Sequence, residues 1–171
     1  MTDTPRLNRA VFVYRTETDG GEQDVVSILD RDWVFKYGLC AEAILGSLQP
    51  PARGDRGITP KRFHPNPAFV QLLQQVIADH VSTHPGIRRE AKRQRDGCVY
   101  LLDGRTPQLD GQVPPEDIIG ALAVRYGSLV PRSYQHNPSH RLLTADGFFV
   151  LPSEIETALQ DEVRARCARH E

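Results

Sequence analysis

The stretch Ile118-Ile-Gly-Ala-Leu-Ala-Val-Arg-Tyr-Gly-Ser-Leu-Val-Pro-Arg-Ser-Tyr134 decides the fold class. Two apolar runs, 118–124 and 128–134, flank the short Tyr126-Gly127 turn, the pattern of an antiparallel hairpin. Pro131 lacks a ladder donor and assigns its own strand to an edge or a bulge. The pattern returns at 142–144 and 148–151 around Asp146-Gly147, so the C-terminal third reads as an antiparallel meander. Near the start, Ala10-Val-Phe-Val-Tyr14 and Asp24-Val-Val-Ser-Ile-Leu29 flank the turn-rich 16–23 segment, with Gly20-Gly21 at the tip of a second hairpin.

Between these sheets lie helical patterns. Asn66 is placed to cap a helix whose first residue is Pro67, where a missing N–H costs nothing. This helix is expected to reach about Thr83, with Phe69, Leu72, Leu73, Val76 and Ile77 as its apolar stripe. A polar helix follows over 86–94, then Cys98-Val-Tyr-Leu-Leu102, a strand apolar at nearly every position and so expected at a central place in a sheet. Ser153 and Glu156 have capping-box spacing at the start of a last helix, with acids early and Arg164, Arg166 and Arg169 late. From Trp33 to Leu48 the apolar residues recur at roughly helical spacing behind Asp32, although Gly38 argues against one unbroken helix. The whole predicts one α+β domain over 1–171, a mainly antiparallel sheet with two or three packed helices, and a long loop at 49–60. No fixed-period repeat is visible, and His64-Pro-Asn-Pro67 against His136-Asn-Pro138 is too short an echo to count as one.

Composition narrows the class. The 171 residues carry 21 Lys+Arg and 22 Asp+Glu, a formal charge of −1, so no global field steers the chain to nucleic acid or an anionic membrane. The longest apolar run, 118–124, is far shorter than the ~20 residues a membrane-spanning helix needs. Met1–Asn8 is polar and no secretory signal follows, which predicts a cytoplasmic chain of bacterial type. Cys40, Cys98 and Cys167 are widely spaced and odd in number, and are expected to be free thiols.

The groups able to carry chemistry gather in two loops. Tyr134-Gln-His-Asn-Pro-Ser-His-Arg141 offers a phenol, amides, imidazoles, a hydroxyl and a guanidinium on what Pro138 makes a loop between strands. Tyr134, His136, Asn137, His140 and Arg141 are therefore candidate binding residues, joined by Asp103 and Arg105 in the turn after the apolar strand. An enzymatic alternative places acid/base or hydrolytic chemistry on Asp103, Asp110, His136 and His140, since carboxylates brought close can divide acid and base roles. The pairs His80/His84 and His136/His140 lack further ligands at zinc spacing, so no metal or cofactor is expected. Nucleotide-binding and hydrolase glycine motifs are absent. The run Arg88-Arg-Glu-Ala-Lys-Arg-Gln-Arg95 is a solvated helix face or a weak nucleic-acid contact, and it has no interleaved aromatic on which bases could stack. The leading expectation is a non-catalytic interaction or regulatory protein that binds a protein partner.

Overall fold

The structure, a computed structural model, describes residues 9–51, 57–105 and 113–169. Its elements in chain order are β1 (Phe12–Thr18), β2 (Gly21–Ser27), α1 (Arg31–Tyr37), β3 (Ile44–Leu48), β4 (Phe63–Pro65), α2 (Pro67–His80), α3 (Pro85–Gln94), β5 (Gly97–Leu102), β6 (Ile118–Arg125), β7 (Ser128–Leu129), β8 (Gln135–His136), β9 (Leu143–Thr144), β10 (Gly147–Phe148) and α4 (Ser153–Ala168). Every described strand pair is antiparallel, and the fold is α+β. Among the described residues no helix is long and apolar enough to cross a membrane. The chain divides into two compact units, Met1–Leu73 with Leu142–Phe148 and Leu159–Glu171, and Gln74–Arg141 with Phe149–Ala158.

In the first unit the strands run β1-β2-β3-β4. The opening hairpin is tighter than its sequence suggests, because Thr18 pairs with Gly21 and the turn is Asp19-Gly20. The long helical reading of Trp33–Leu48 is corrected. Asp30, not Asp32, caps α1 by accepting from the Trp33 N–H at 2.8 Å, and Gly38 stops it at a φ of 83°. Ile44–Leu48 then pairs as a strand between β2 and β4. Val26, Leu29, Leu45, Phe69, Leu73, Phe148, Leu159 and Val163 fill the core, with Phe63 edge-on to Phe148. Cys40 and Cys167, 127 residues apart, form a disulfide with Cα atoms 5.1 Å apart, which corrects the reading of three free thiols. Cys98 alone is free and exposed.

In the second unit β6 pairs with β5 on one side and with β7 and β8 on the other. The β6–β7 turn is Tyr126-Gly127, both at positive φ (52° and 75°), the geometry a two-residue hairpin favours. Pro131 follows the short β7, as a residue without a ladder donor should. β5 lies at the edge of the described sheet rather than at its centre. Val99 and Leu101 turn into the core while Cys98 and Tyr100 face out, so an apolar sequence did not mean burial on both faces. His84 caps α3, its Nδ1 accepting from the Ile87 N–H. α4 begins one residue earlier than a Ser153 cap would place it, since its first bond runs from the Glu156 N–H to the Pro152 carbonyl and Ser153 is already helical.

A segment of the first unit recurs in the second. Ala41-Glu-Ala-Ile-Leu-Gly-Ser-Leu48 aligns with Pro115-Glu-Asp-Ile-Ile-Gly-Ala-Leu122, each a single 3-10 turn running into a strand. Gly46 and Gly120 occupy equivalent places, because a Cβ would lie 2.6 Å from the ring of Phe63 in one unit and of Tyr134 in the other. Asn66 donates its Nδ2 to the carbonyls of Ala41 and Ile44, and Asn137 donates its Nδ2 to those of Pro115 and Ile118, all at 2.8 Å. Their backbone N–H groups bond Leu45 and Ile119, and their Oδ1 atoms accept from Ala68 and Ser139. Even the bulge recurs, between Val26 and Ser27 and between Leu101 and Leu102. By this register β2, β3 and β4 correspond to β5, β6 and β8.

Candidate functional site

Asp103, Arg105 and His140 come together as the sequence invites, and Asp117 joins them. All lie in the second unit. The Asp103 carboxylate, sealed from solvent, accepts from the backbone N–H of Arg105 (3.1 Å) and Val150 (2.8 Å) on Oδ1. Its Oδ2 receives the His140 Nε2–H at 3.0 Å, with Arg105 Nε at 3.6 Å. The enclosed Arg105 guanidinium donates Nε to Asp117 Oδ1 at 2.9 Å and Nη2 to the carbonyls of Glu116 (3.0 Å) and Arg141 (2.6 Å). Asp103 and Arg105 side chains are 0% exposed, and Asp117 and His140 only 1% and 2%. Charges so far from water persist only when paired and hydrogen-bonded, as these are.

The repeat shows what these residues replace. Ile28, Ala43 and Phe69 of the first unit, all buried, stand where the second has Asp103, Asp117 and His140. An apolar solution therefore exists for the same local fold. From sequence, Glu116-Asp117 continues the run of carboxylates after Asp103 and Asp110 but, following two prolines, reads as a strand-entry turn; alignment with Ala43 is the signal that marks Asp117 as buried.

The remaining loop residues separate. Tyr134 is half-buried, its hydroxyl donating to Gln74 Oε1 at 2.5 Å, and burial raises its pKa well above the usual tyrosine value. Asn137 holds the loop against the start of β6 as described above. His136 sits on β8 opposite Gly120 and is exposed on its outer side. Partial desolvation, then the charge of His140, lower its pKa. The Arg141 N–H bonds the Glu116 carbonyl and the residue is exposed. Asp110 lies outside the described residues. Among the described residues Asp103 is the one side-chain partner of His140, and no three His, Cys, Asp or Glu gather as metal ligands would.

The accessible chemistry of this unit lies on other elements. Along β6, Ala123 turns its backbone groups away from β5, donating to Ser133 Oγ and accepting from Val130, and the Ile119 carbonyl accepts from Asn137. Alternation then points Gly120, Leu122 and Val124 at β5, where Leu101, Val99 and Gly97 are their partners. The N–H and C=O groups of Cys98 and Tyr100 face the opposite edge, and no described residue takes them. Tyr100 is 56% exposed beside that edge. The β6–β7 turn carries Tyr126, 93% exposed, and α3 presents its basic residues to solvent. Comparison with family models, curated proteins and solved structures finds no match to this chain.

Proposed function

We propose that this is a non-catalytic interaction protein that binds a protein partner by taking an extended segment of it, antiparallel, onto β5. The observation that carries the reading is a vacancy within the repeat. β2 has β1 on its outer edge, and the corresponding edge of β5 has no strand among the described residues. Open edges invite pairing, and proteins ordinarily blunt them with charge or proline. Gly97–Leu102, GCVYLL, carries neither. Main-chain bonds to Cys98 and Tyr100 would supply affinity, and contact with the Tyr100 ring would select an apolar or aromatic side chain opposite.

The enzymatic alternative on Asp103, Asp110, His136 and His140 has less behind it, because Asp103 and His140 are spent on each other and on Arg105, with little surface open to a substrate. A cytosolic location belongs to the proposal, and the Cys40–Cys167 disulfide stands against it, since cytosolic thiols are kept reduced. Thiol labelling of acid-quenched extracts under denaturing, non-reducing conditions decides that point, since Cys167 is buried in the folded chain. Labelling of all three cysteines supports the cytosol, and labelling of Cys98 alone supports an oxidising compartment.

Selection from a displayed library of random linear peptides tests the function. Expected are extended sequences with alternating apolar residues, whose binding is lost in Tyr100→Pro, which removes an outward N–H, and weakened in Tyr100→Lys. Failure to enrich any sequence, or enrichment indifferent to both variants, overturns the proposal. So does a dimer formed through β5 that excludes peptide.

A further inference from the structure

A groove of about 400 Å³ lies in the second unit between α3 and the strand region after the Tyr126-Gly127 turn. Its walls are Arg88, Ala91 and Lys92 of α3, Ser82 from the turn before it, and residues 127–131. That volume falls in the range of small-ligand sites. The groove is independent of the β5 edge and of the buried Asp103 network.

Two features of α3 equip it for an anion. Arg88 and Lys92 are four residues apart and share a helix face. On a neighbouring row Arg93 is neutralised by Glu90 through three hydrogen bonds. Arg88 and Lys92 have no carboxylate partner among the described residues. The Arg88 Nε–H donates to the Ser82 carbonyl at 3.0 Å, which tethers the guanidinium at the groove with both Nη groups uncommitted. The Ser82 and Ser128 hydroxyls add two further donors without partners among the described residues.

The other wall is fixed. The Gly127 N–H donates to the Arg95 carbonyl at 2.8 Å, and the Tyr126 N–H to Asp96 Oδ1 at 3.3 Å, so the hairpin tip is tied to the end of α3. The left-handed φ of Gly127 brings its Cα side against Lys92, where a Cβ would lie 3.7 Å from the Lys92 Cα. Ala91, Leu129, Val130 and Pro131 supply apolar surface next to the donors. A guanidinium, an ammonium and two hydroxyls are more donors than the two oxygens of a carboxylate use, and they suit the three terminal oxygens of a phosphate monoester.

We infer that this groove binds a small phosphate monoester, its phosphate held by Arg88, Lys92 and the serine hydroxyls and its organic part on Leu129, Val130 and Pro131. A titration of the full chain with phenyl phosphate and with inorganic phosphate, read by amide chemical shifts, tests it. Phenyl phosphate is expected to saturate, to shift Ala91, Ser128 and Val130, and to bind roughly tenfold more tightly than inorganic phosphate, because its ring gains apolar contact. Arg88→Gln and Lys92→Gln should each weaken it by about tenfold with an unchanged melting temperature, as expected for one charge-assisted contact made by an exposed residue. Arg89→Gln, which is not in the groove, should leave it unchanged. No saturation by about 10 mM phenyl phosphate, or equal loss in Arg89→Gln, overturns the inference. Tighter binding of a single-stranded oligonucleotide, weakened equally by Arg88→Gln and Arg89→Gln, overturns it too, by making the whole basic helix the binding element.

Discussion

A buried Arg105 facing Asp103 and Asp117 is held by pairing that a single substitution destroys. Arg105→Met leaves two enclosed carboxylates without their cation, and chemical denaturation should show a loss of roughly 3–5 kcal/mol. Adding the residues that the first unit uses, Asp103→Ile, Asp117→Ala and His140→Phe, removes those orphaned charges. The fourfold variant is expected to be more stable than Arg105→Met alone, and a further fall would show that the two local environments are not equivalent. His136 provides a pH reading at the same scale. Its folded pKa is lowered by desolvation and by His140, so below the ordinary value of about 6.5 the unfolded chain takes up the proton first. Its contribution to stability is whole above that value and is lost as pH falls through the folded pKa. NMR titration should place its midpoint below about 6.5, and a midpoint at or above that value refutes the partial desolvation assigned to it. At this scale the sequence named Asp103, Arg105 and His140 but not their use. Residue type announces capacity for hydrogen bonding, whereas burial comes from register, and register depends on distant strands.

At the scale of elements, the features that rest on local chemistry were legible, although the tips of the β1–β2 and β9–β10 hairpins fall one residue before Gly20-Gly21 and Asp146-Gly147 and α1 is capped by Asp30. The Tyr126-Gly127 turn, Asn66-Pro67 at the start of α2 and the acid-to-base order along α4 all rest on neighbours in sequence. The reading of Trp33–Leu48 failed where local spacing met long-range pairing: Ile44, Leu45 and Leu48 fit a helix stripe, yet the ladder to β2 and β4 claims them. The edge position of β5 was hidden for the same reason. The asparagine clamp is the element-level device that both units share, and it is testable in both. Asn66→Ala and Asn137→Ala each leave two carbonyls without their donor, at an expected cost of about 1–3 kcal/mol in thermal or urea melts. Full stability in either variant would show that water replaces the amide there.

For the whole molecule, the repeat went unread because its spacing changes, from 74 residues between Gly46 and Gly120 to 71 between Asn66 and Asn137. A fixed period cannot find a recurring segment whose connecting loops differ in length. The disulfide was equally invisible, since 127 residues separate its cysteines. Closing so long a loop restricts the unfolded chain, and Cys40→Ser should cost about 3–5 kcal/mol where Cys98→Ser costs little. A parent melting temperature insensitive to reductant would contradict this. The central claim is that β5 is an unfilled strand position, and residue-resolved amide hydrogen exchange tests it most directly. In the free protein the amides of Cys98 and Tyr100 should exchange rapidly while Val99 and Leu101 stay protected, and a selected peptide should protect Cys98 and Tyr100. Protection of all four amides in the free monomer, or a bound peptide that leaves Cys98 and Tyr100 unprotected, would contradict it.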